Sequence, residues 1–565
     1  MRILLLCHAF NSLSQRVHAE LRAAGHELSV ELDISDEVTA EAVALFKPDV
    51  LVAPFLKRKI PESVFTAVPC LIVHPGPPGD RGPAALDWAV LEGETEWGVS
   101  IIQATEELDG GPVLASRMFA MRPARKSSLY RIEVTEGAVA ALFEALGKIE
   151  RAEPGDPPPS GRWRDPVLPS ARRMAWASDS TATVLNKIRS ADGFPGVIDE
   201  IAGREVRLFN AWPEPELTGE PGALLARCHG AICRATVDGA VWIGHLKEMG
   251  ERPFKRRATA VLGEAVAGLP ELDFDTDPES GRGPIRYREI GDVGVLDFDF
   301  YNGAMSTEDC RALLAAYKQA TRRPTRVIVL AGGADFWSNG MDLNTIEAAA
   351  SPPDESWDNI RAIDEVAEAV IRTSSHLTVS AIGGNAAAGG VFLALAADEV
   401  WARSGVVLNP HYKNMGNLYG SEYWTYLLPK RVGEDGIKAV MGHRLPMLAA
   451  EARDLGLIDL AGPNDRAAFD AFVHERAVSL AGDDFEARLA DKTERRTRDE
   501  DQRPLHAYRD EELERMRMNF YGFDPSYHVA RFRLVRRSPH AWTPLYLAHH
   551  RARVGARNSA GPAQG

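Results

Sequence analysis

The stretch from Ser380 to Trp424 constrains this chain more than any other. It opens with an apolar run of strand character and passes through a small-residue turn from Gly383 to Gly390. It then enters an apolar helix and ends in a loop dense with polar and aromatic side chains. A strand that feeds through glycines into a helix start leaves backbone N–H groups without intrahelical partners. Groups arranged in that way face a ligand oxygen.

The rest of the chain must build a frame for that turn. At 565 residues it is too long for one core and should divide into roughly three or four domains. With 45% hydrophobic and 26% charged residues it has the make-up of a folded, water-soluble enzyme. The net charge of −15, from 65 Lys+Arg against 80 Asp+Glu, argues against duplex nucleic acid as a main partner. Cys7, Cys70, Cys228, Cys233 and Cys310 are scattered without a C-x-x-C pair. No zinc knuckle, disulfide framework or metal site is therefore expected, and a reducing cytoplasm is the natural compartment. The first ten residues have too short an apolar run for a signal peptide, and no segment is long and apolar enough for a membrane span.

Residues 1–165 repeat a pattern of apolar strand and amphipathic helix: Arg2–Cys7 with the helix that Gly25 stops, Val38–Phe46 before Asp49–Pro54, and Glu62–Val68 before Leu71–His74. This predicts a parallel, Rossmann-like sheet with its ligand at the strand carboxyl ends. No G-x-G-x-x-G follows the first strand, so a dinucleotide is not supported. Next come His74-Pro75-Gly76, the Asp80-Arg81-Gly82 loop, Gly98-Val99 and Leu108-Asp109-Gly110-Gly111. In order and spacing these resemble the 10-formyltetrahydrofolate-dependent formyltransferases. The resemblance implies that His74 and Asp109 flank the formyl carbon and relay a proton from the nucleophile, with Arg81 and Gly82 in the folate loop. The family's usual Asn two residues before the His is Ile72 here.

Pro- and Gly-rich residues 151–164 read as a linker. Residues 166–272 then show a helix and short alternating strands, which predicts a small, OB-like β-barrel. The resemblance continues there, since the same family carries a C-terminal barrel. Pro166 to Pro270 holds 13 Lys+Arg against 12 Asp+Glu, without the basic footprint of a tRNA-directed member. Arg252, Lys255, Arg256 and Arg257 form its one basic patch, which reads as a solvated loop or a phosphate contact.

A second linker is expected at Glu271–Pro284, before an α/β domain over 285–545 and a disordered tail over 546–565. In that third domain, Asn302–Met305, Phe336–Leu343 and the Ser380–Trp424 stretch together resemble the crotonase (enoyl-CoA hydratase/isomerase) superfamily, and Thr493 to Arg553 resembles its helical C-terminal region. The resemblance implies that the N–H groups of Met341 and Gly389 form an oxyanion hole for an acyl-CoA thioester. Gly390 and Asn302 would lie against the CoA, and C-terminal arginines among Arg515, Arg517, Arg531, Arg533, Arg536 and Arg537 would meet its phosphates. Hydratases of that superfamily carry two glutamates where this chain has Phe392 and Tyr412, so hydration is not expected. Glu422, in Gly420-Ser421-Glu422-Tyr423-Trp424, stands where the superfamily has small residues. Set among Tyr412, Tyr423 and Trp424, it is expected to have a raised pKa and to pass a proton with Tyr412.

A formyltransferase module joined to a crotonase module with a small acyl pocket resembles the HypX-type maturation proteins of nickel–iron hydrogenases. That resemblance implies formyl transfer from 10-formyltetrahydrofolate to CoA, then release of carbon monoxide from formyl-CoA, with hydrogenase iron-site assembly proteins as further partners. Two alternatives stay open on sequence: a formyltransferase directed at tRNA or another acceptor with a degenerate crotonase domain, and a non-catalytic assembly scaffold.

Overall fold

The computed structural model describes residues 1–250, 254–273 and 282–552. Arg252, most of the expected second linker and the tail beyond residue 552 lie outside the described residues.

The first domain is built on a six-stranded sheet in the order Glu27–Leu32, Arg2–Cys7, Val50–Phe55, Cys70–His74, Glu96–Gln103, Val113–Ala120. The first four strands are parallel, as the alternating pattern predicts, and the last two are antiparallel. The strands read from sequence are parallel, and the two antiparallel strands that follow His74 make the whole sheet mixed. The reason lies at His74. There the chain leaves the sheet through Pro75–Pro83 and the helix Ala85–Glu92, and re-enters antiparallel beside the strand it left.

The second domain packs the helix Thr181–Ala191 on an antiparallel sheet of Val197–Ile201, Arg204–Glu214, Leu224–Cys228, Ala231–Ala235 and Ala240–Glu248, with Lys255–Arg257 on its last strand. Val184, Ile188, Val206, Leu208 and Ile243 form its dry interior. The third domain holds a sheet of Ile285–Ile290, Val293–Phe298, Val327–Gly332, Leu377–Ile382, Glu399–Arg403 and Leu460–Gly462, parallel after its first, antiparallel pair. Beside it a small sheet of Phe336–Ser338, Asn385–Ala387, Val407–Asn409 and Met447–Leu448 carries the turns of the site. Helices Phe485–Gln502, Leu505–Tyr521 and Ser526–Val535 follow.

The three units are packed together. Arg16, buried on the helix Ser12–Ala23, pairs with Glu136 at 3.2 Å and reaches the carbonyl of Gly405 in the third domain. Arg403 meets the same Glu136 at 2.9 Å. Asp335 of the third domain accepts from Ser128 at 2.5 Å and from Arg131 at 2.9 Å. Arg131 sits in one turn of π-helix, Tyr130–Val134, a distortion that often marks a working position.

Two boundaries read from sequence are corrected. Residues 151–164 are not a free linker: Arg162–Trp163 pairs with Asp80–Arg81 as a short parallel ladder, and Arg164 is buried. The tail does not begin at residue 546, because Leu547 and Ala548 are buried and the Val30 N–H donates to the Leu547 carbonyl at 2.9 Å.

Candidate active sites

The first site lies where the strand Cys70–His74 ends. His74 is buried between two carboxylates, with Nε2 3.1 Å from Asp80 Oδ2 and Nδ1 3.7 Å from Asp109 Oδ2. Asp109 adopts a left-handed backbone, φ 51°, which a short polar residue tolerates. Its carboxylate accepts from the Gly82 N–H at 3.1 Å and so ties the two loops together. Arg81, at the same loop, pairs with Glu107. The sequence reading brought His74, Asp109, Arg81 and Gly82 to one place, and the fold does the same.

What it missed is Asp80 and the group that holds it. Asp80 accepts from Arg164 Nε at 2.7 Å, while Arg164 also reaches Glu92 at 2.7 Å and lies over the Trp97 ring at 5.2 Å. Asp80 stood in plain view in the Asp-Arg-Gly triplet. Arg164 carried no signal, since it lies in a stretch whose composition reads as a spacer.

The second site lies around Glu422. The turn Ser338–Met341 and the segment Ala388–Gly389 meet closely: a Cβ on Gly340 would stand 3.5 Å from the Gly389 nitrogen. Ala388 is held at φ 48° and the helix Gly389–Leu395 starts immediately after it. Neither glycine of the pair has room for a side chain. A Cβ on Gly389 would fall 2.0 Å from Glu422 Oε1, and one on Gly390 2.1 Å from the Ser338 carbonyl. Glu422 therefore points at the start of that helix.

Glu422 is 1% exposed. It accepts from the Tyr412 hydroxyl at 2.6 Å and from the Ser421 N–H at 3.2 Å. Burial, with the Asp364 carboxylate beside it, pushes its pKa up to about 8. Tyr412 stacks on Phe392 at 5.2 Å, so the two residues that stand in place of the hydratase glutamates form one wall. Trp424 packs on Tyr419 at 5.3 Å, and Glu422 is closed in by Tyr412, Gly389 and a second carboxylate, Asp364, which accepts the Glu422 N–H at 2.8 Å.

Asn302 lies at the border of the domains, where its side-chain oxygen accepts from Arg131 at 3.3 Å. Lys255 and Arg257 of the barrel's basic patch are turned inward. Lys255 donates to the Gly193 carbonyl at 2.9 Å and to the Tyr301 hydroxyl at 3.2 Å, and burial brings its pKa down to about 7. Arg257 pairs with Asp309. Of the C-terminal arginines, Arg531 is buried against Glu347 at 2.9 Å, while Arg537 donates to the Gly193 carbonyl at 3.0 Å. Among the described residues no helix is long and apolar enough to cross a membrane.

Comparison with known proteins accounts for the three domains. The formyl transferase family model matches residues 12–146, its C-terminal domain residues 168–260, and the enoyl-CoA hydratase/isomerase model residues 299–514. The hydrogenase maturation factor HoxX of Bradyrhizobium diazoefficiens is 55% identical over 558 residues, 98% of each chain. The chain belongs to the HypX/HoxX family of hydrogenase maturation factors. A crystal structure of HypX from Aquifex aeolicus in complex with tetrahydrofolic acid is 50% identical and superposes with a TM-score of 0.95, over 98% of this chain and 99% of that one. Similarity to the methionyl-tRNA formyltransferase of Anaeromyxobacter dehalogenans, at 30% identity, is confined to 36% of the chain. HypX/HoxX membership thus explains a formyltransferase module and a crotonase module on one packed chain.

Proposed function

We propose that the chain makes carbon monoxide in two steps, a formyl transfer at His74 and Asp109 and a decarbonylation at Glu422. In the first, the CoA sulfur bonds to the formyl carbon of 10-formyltetrahydrofolate and the bond from that carbon to the folate nitrogen breaks. The thiol proton passes to the nitrogen through His74 and Asp109, with Arg81 and Gly82 lining the folate loop. The tetrahydrofolic acid complex of the Aquifex aeolicus relative supports a folate here.

In the second step the N–H groups of Met341 and Gly389 hold the formyl oxygen of formyl-CoA, with Gly390 and Asn302 along the CoA. Glu422 takes the formyl hydrogen as a proton, the carbon–sulfur bond breaks, and CO leaves. The thiolate then recovers the proton through Glu422 and Tyr412, so formyl-CoA becomes CO and CoA with no oxidant or water consumed. Iron-site assembly proteins of hydrogenase would receive the CO.

The observation that carries this reading is Glu422 itself: a buried acid with its pKa near neutrality, directed at Gly389 and 2.6 Å from a phenol. The inward-turned Lys255 and Arg257 argue against a tRNA acceptor.

Full-length protein is incubated with 10-formyltetrahydrofolate, with and without CoA, and CO is trapped with reduced haemoglobin. CO should appear only with both substrates. Glu422→Gln should lose CO release while still producing tetrahydrofolate in the presence of CoA, and Asp109→Ala should lose both. Undiminished CO from Glu422→Gln removes Glu422 from the mechanism, and tetrahydrofolate formed without CoA points to a different acceptor.

A further inference from the structure

The decarbonylation reading uses one buried carboxylate, but the structure buries three around the same turn. Asp364, Glu422 and Glu512 are each at most 1% exposed. They come from distant parts of the chain: Asp364 from the helix Pro352–Ile371, Glu512 from the helix Leu505–Tyr521, and Glu422 from the loop before the helix Trp424–Gly442. Burying ionisable groups is costly unless each has partners that repay it, so the contacts of the other two disclose what they do.

Those contacts are with the backbone around Glu422. Asp364 accepts the Glu422 N–H at 2.8 Å and the Ser421 hydroxyl at 2.8 and 2.9 Å. Glu512 accepts the Tyr423 N–H at 2.9 Å, the Thr425 N–H at 2.8 Å and the Thr425 hydroxyl at 2.6 Å, with the Ser421 hydroxyl at 3.3 Å. Between these anchors Glu422 and Tyr423 are both left-handed, φ 62° and 60°. A non-glycine residue there is strained and persists only where its surroundings over-determine it.

We infer that Asp364 and Glu512, linked through Ser421, are positioning residues for CO release: they clamp the left-handed Glu422–Tyr423 pair and so aim the Glu422 carboxylate at Gly389. The inference rests on the decarbonylation reading and extends it to two helices outside the loop that carries Glu422. It also assigns Asp364 an electrostatic part, because a carboxylate hydrogen-bonded to the Glu422 backbone opposes ionisation of the Glu422 side chain. The groups that act on Glu422 are then Asp364 on one helix, the Tyr412 hydroxyl and Ser421 N–H, and, through charge, Glu512 on another helix and the buried thiol of Cys310 on the helix Thr307–Ala320. Arg509, 3.6 Å from Asp364, closes the outer end.

The test supplies formyl-CoA directly to the full chain and follows CO release against pH. Glu422 acts as a base when ionised, so release rises with pH through its pKa. Asp364→Asn keeps an acceptor for the Glu422 N–H but removes the charge. It should move that rise down by about one pH unit with KM little changed. Ser421→Ala withdraws the hydroxyl that favours charged Asp364 and should move the rise in the same direction by less. Glu512→Gln should lower kcat, with a smaller displacement of the profile.

A wild-type profile in both Asp364→Asn and Ser421→Ala overturns the inference and leaves the decarbonylation reading standing. If Asp364→Asn does not fold, as circular dichroism would report, Ser421→Ala decides alone. Absence of CO from formyl-CoA with the wild-type chain defeats the decarbonylation reading and this inference with it.

Discussion

Glu422 is ionised with difficulty in the folded chain and freely in the unfolded one, and that difference has a consequence for stability. Its pKa rises from an ordinary carboxylate value to about 8 on folding, chiefly through burial and then through Asp364. Between those two values the folded state holds a proton that the unfolded state has lost, so stability falls as pH rises through that window and levels off above about pH 8. Glu422→Gln abolishes the titration. The thermal midpoint of the third domain should therefore be raised by this substitution in mildly alkaline buffer relative to mildly acidic buffer, by about 2–4 °C per kcal/mol relieved. Equal effects at both pH values would mean that Glu422 is not the group being titrated. The sequence made Glu422, His74, Asp109 and the Gly389 pair legible because each sits in a contiguous run with turn chemistry around it. Asp364 and Glu512 were not legible for a physical reason. Each is an acidic residue on an amphipathic helix, where local spacing cannot distinguish a solvated carboxylate from one that tertiary packing brings onto a distant turn.

The Pro-rich strap over residues 151–164 and the Asp80–Gly82 loop form one unit, and the glycines show how tightly. Gly82 has φ +107°, and a Cβ there would lie 2.3 Å from the Arg164 carbonyl; one on Gly161 would lie 1.6 Å from the Gly79 carbonyl. Backbone meets backbone in both cases, so neither clash is relieved by a side-chain rotation. Composition reads as a linker here because proline and glycine also suit an extended strap that packs through its backbone. Through Arg164, the strap sets the direction of Asp80 against His74. Gly82→Ala should consequently slow formyl transfer from 10-formyltetrahydrofolate at least ~10-fold by displacing the loop that Asp109 grips, an effect of the size that misplacing a reacting group produces. Release of CO from supplied formyl-CoA should be unchanged in the same protein. Measuring the two reactions separately checks this, and an equal loss in both would mean that the substitution unfolds the chain rather than displacing one loop.

On the scale of the whole chain, the C-terminal segment joins the third domain back to the first. The strand Glu27–Leu32 is the outer strand of the first sheet, and an uncovered outer strand presents unpaired backbone groups to other chains. Here it is covered from within. The Leu32 N–H donates to the Thr543 hydroxyl at 2.8 Å and the Val30 N–H to the Leu547 carbonyl at 2.9 Å. Ser29 meets His550 at 2.6 Å, and Glu31, buried under the segment, accepts from Arg551 at 2.8 Å. Leu547 completes the hydrophobic core of the first domain. A chain that reaches back across two domains to finish the first couples the formyl-transfer module to the stability of the far end. Glu31 adds to that coupling, since its carboxylate is held from the segment by Arg551 and by the Thr543 hydroxyl. Truncation after residue 541 should therefore lower the thermal midpoint of the first domain and promote association through its exposed edge, although the His74 and Glu422 sites are left intact in sequence. Differential scanning calorimetry with light scattering reads both effects. If the truncated chain melts like the full one and stays monodisperse, the segment is a passive end rather than the closing piece of the first sheet.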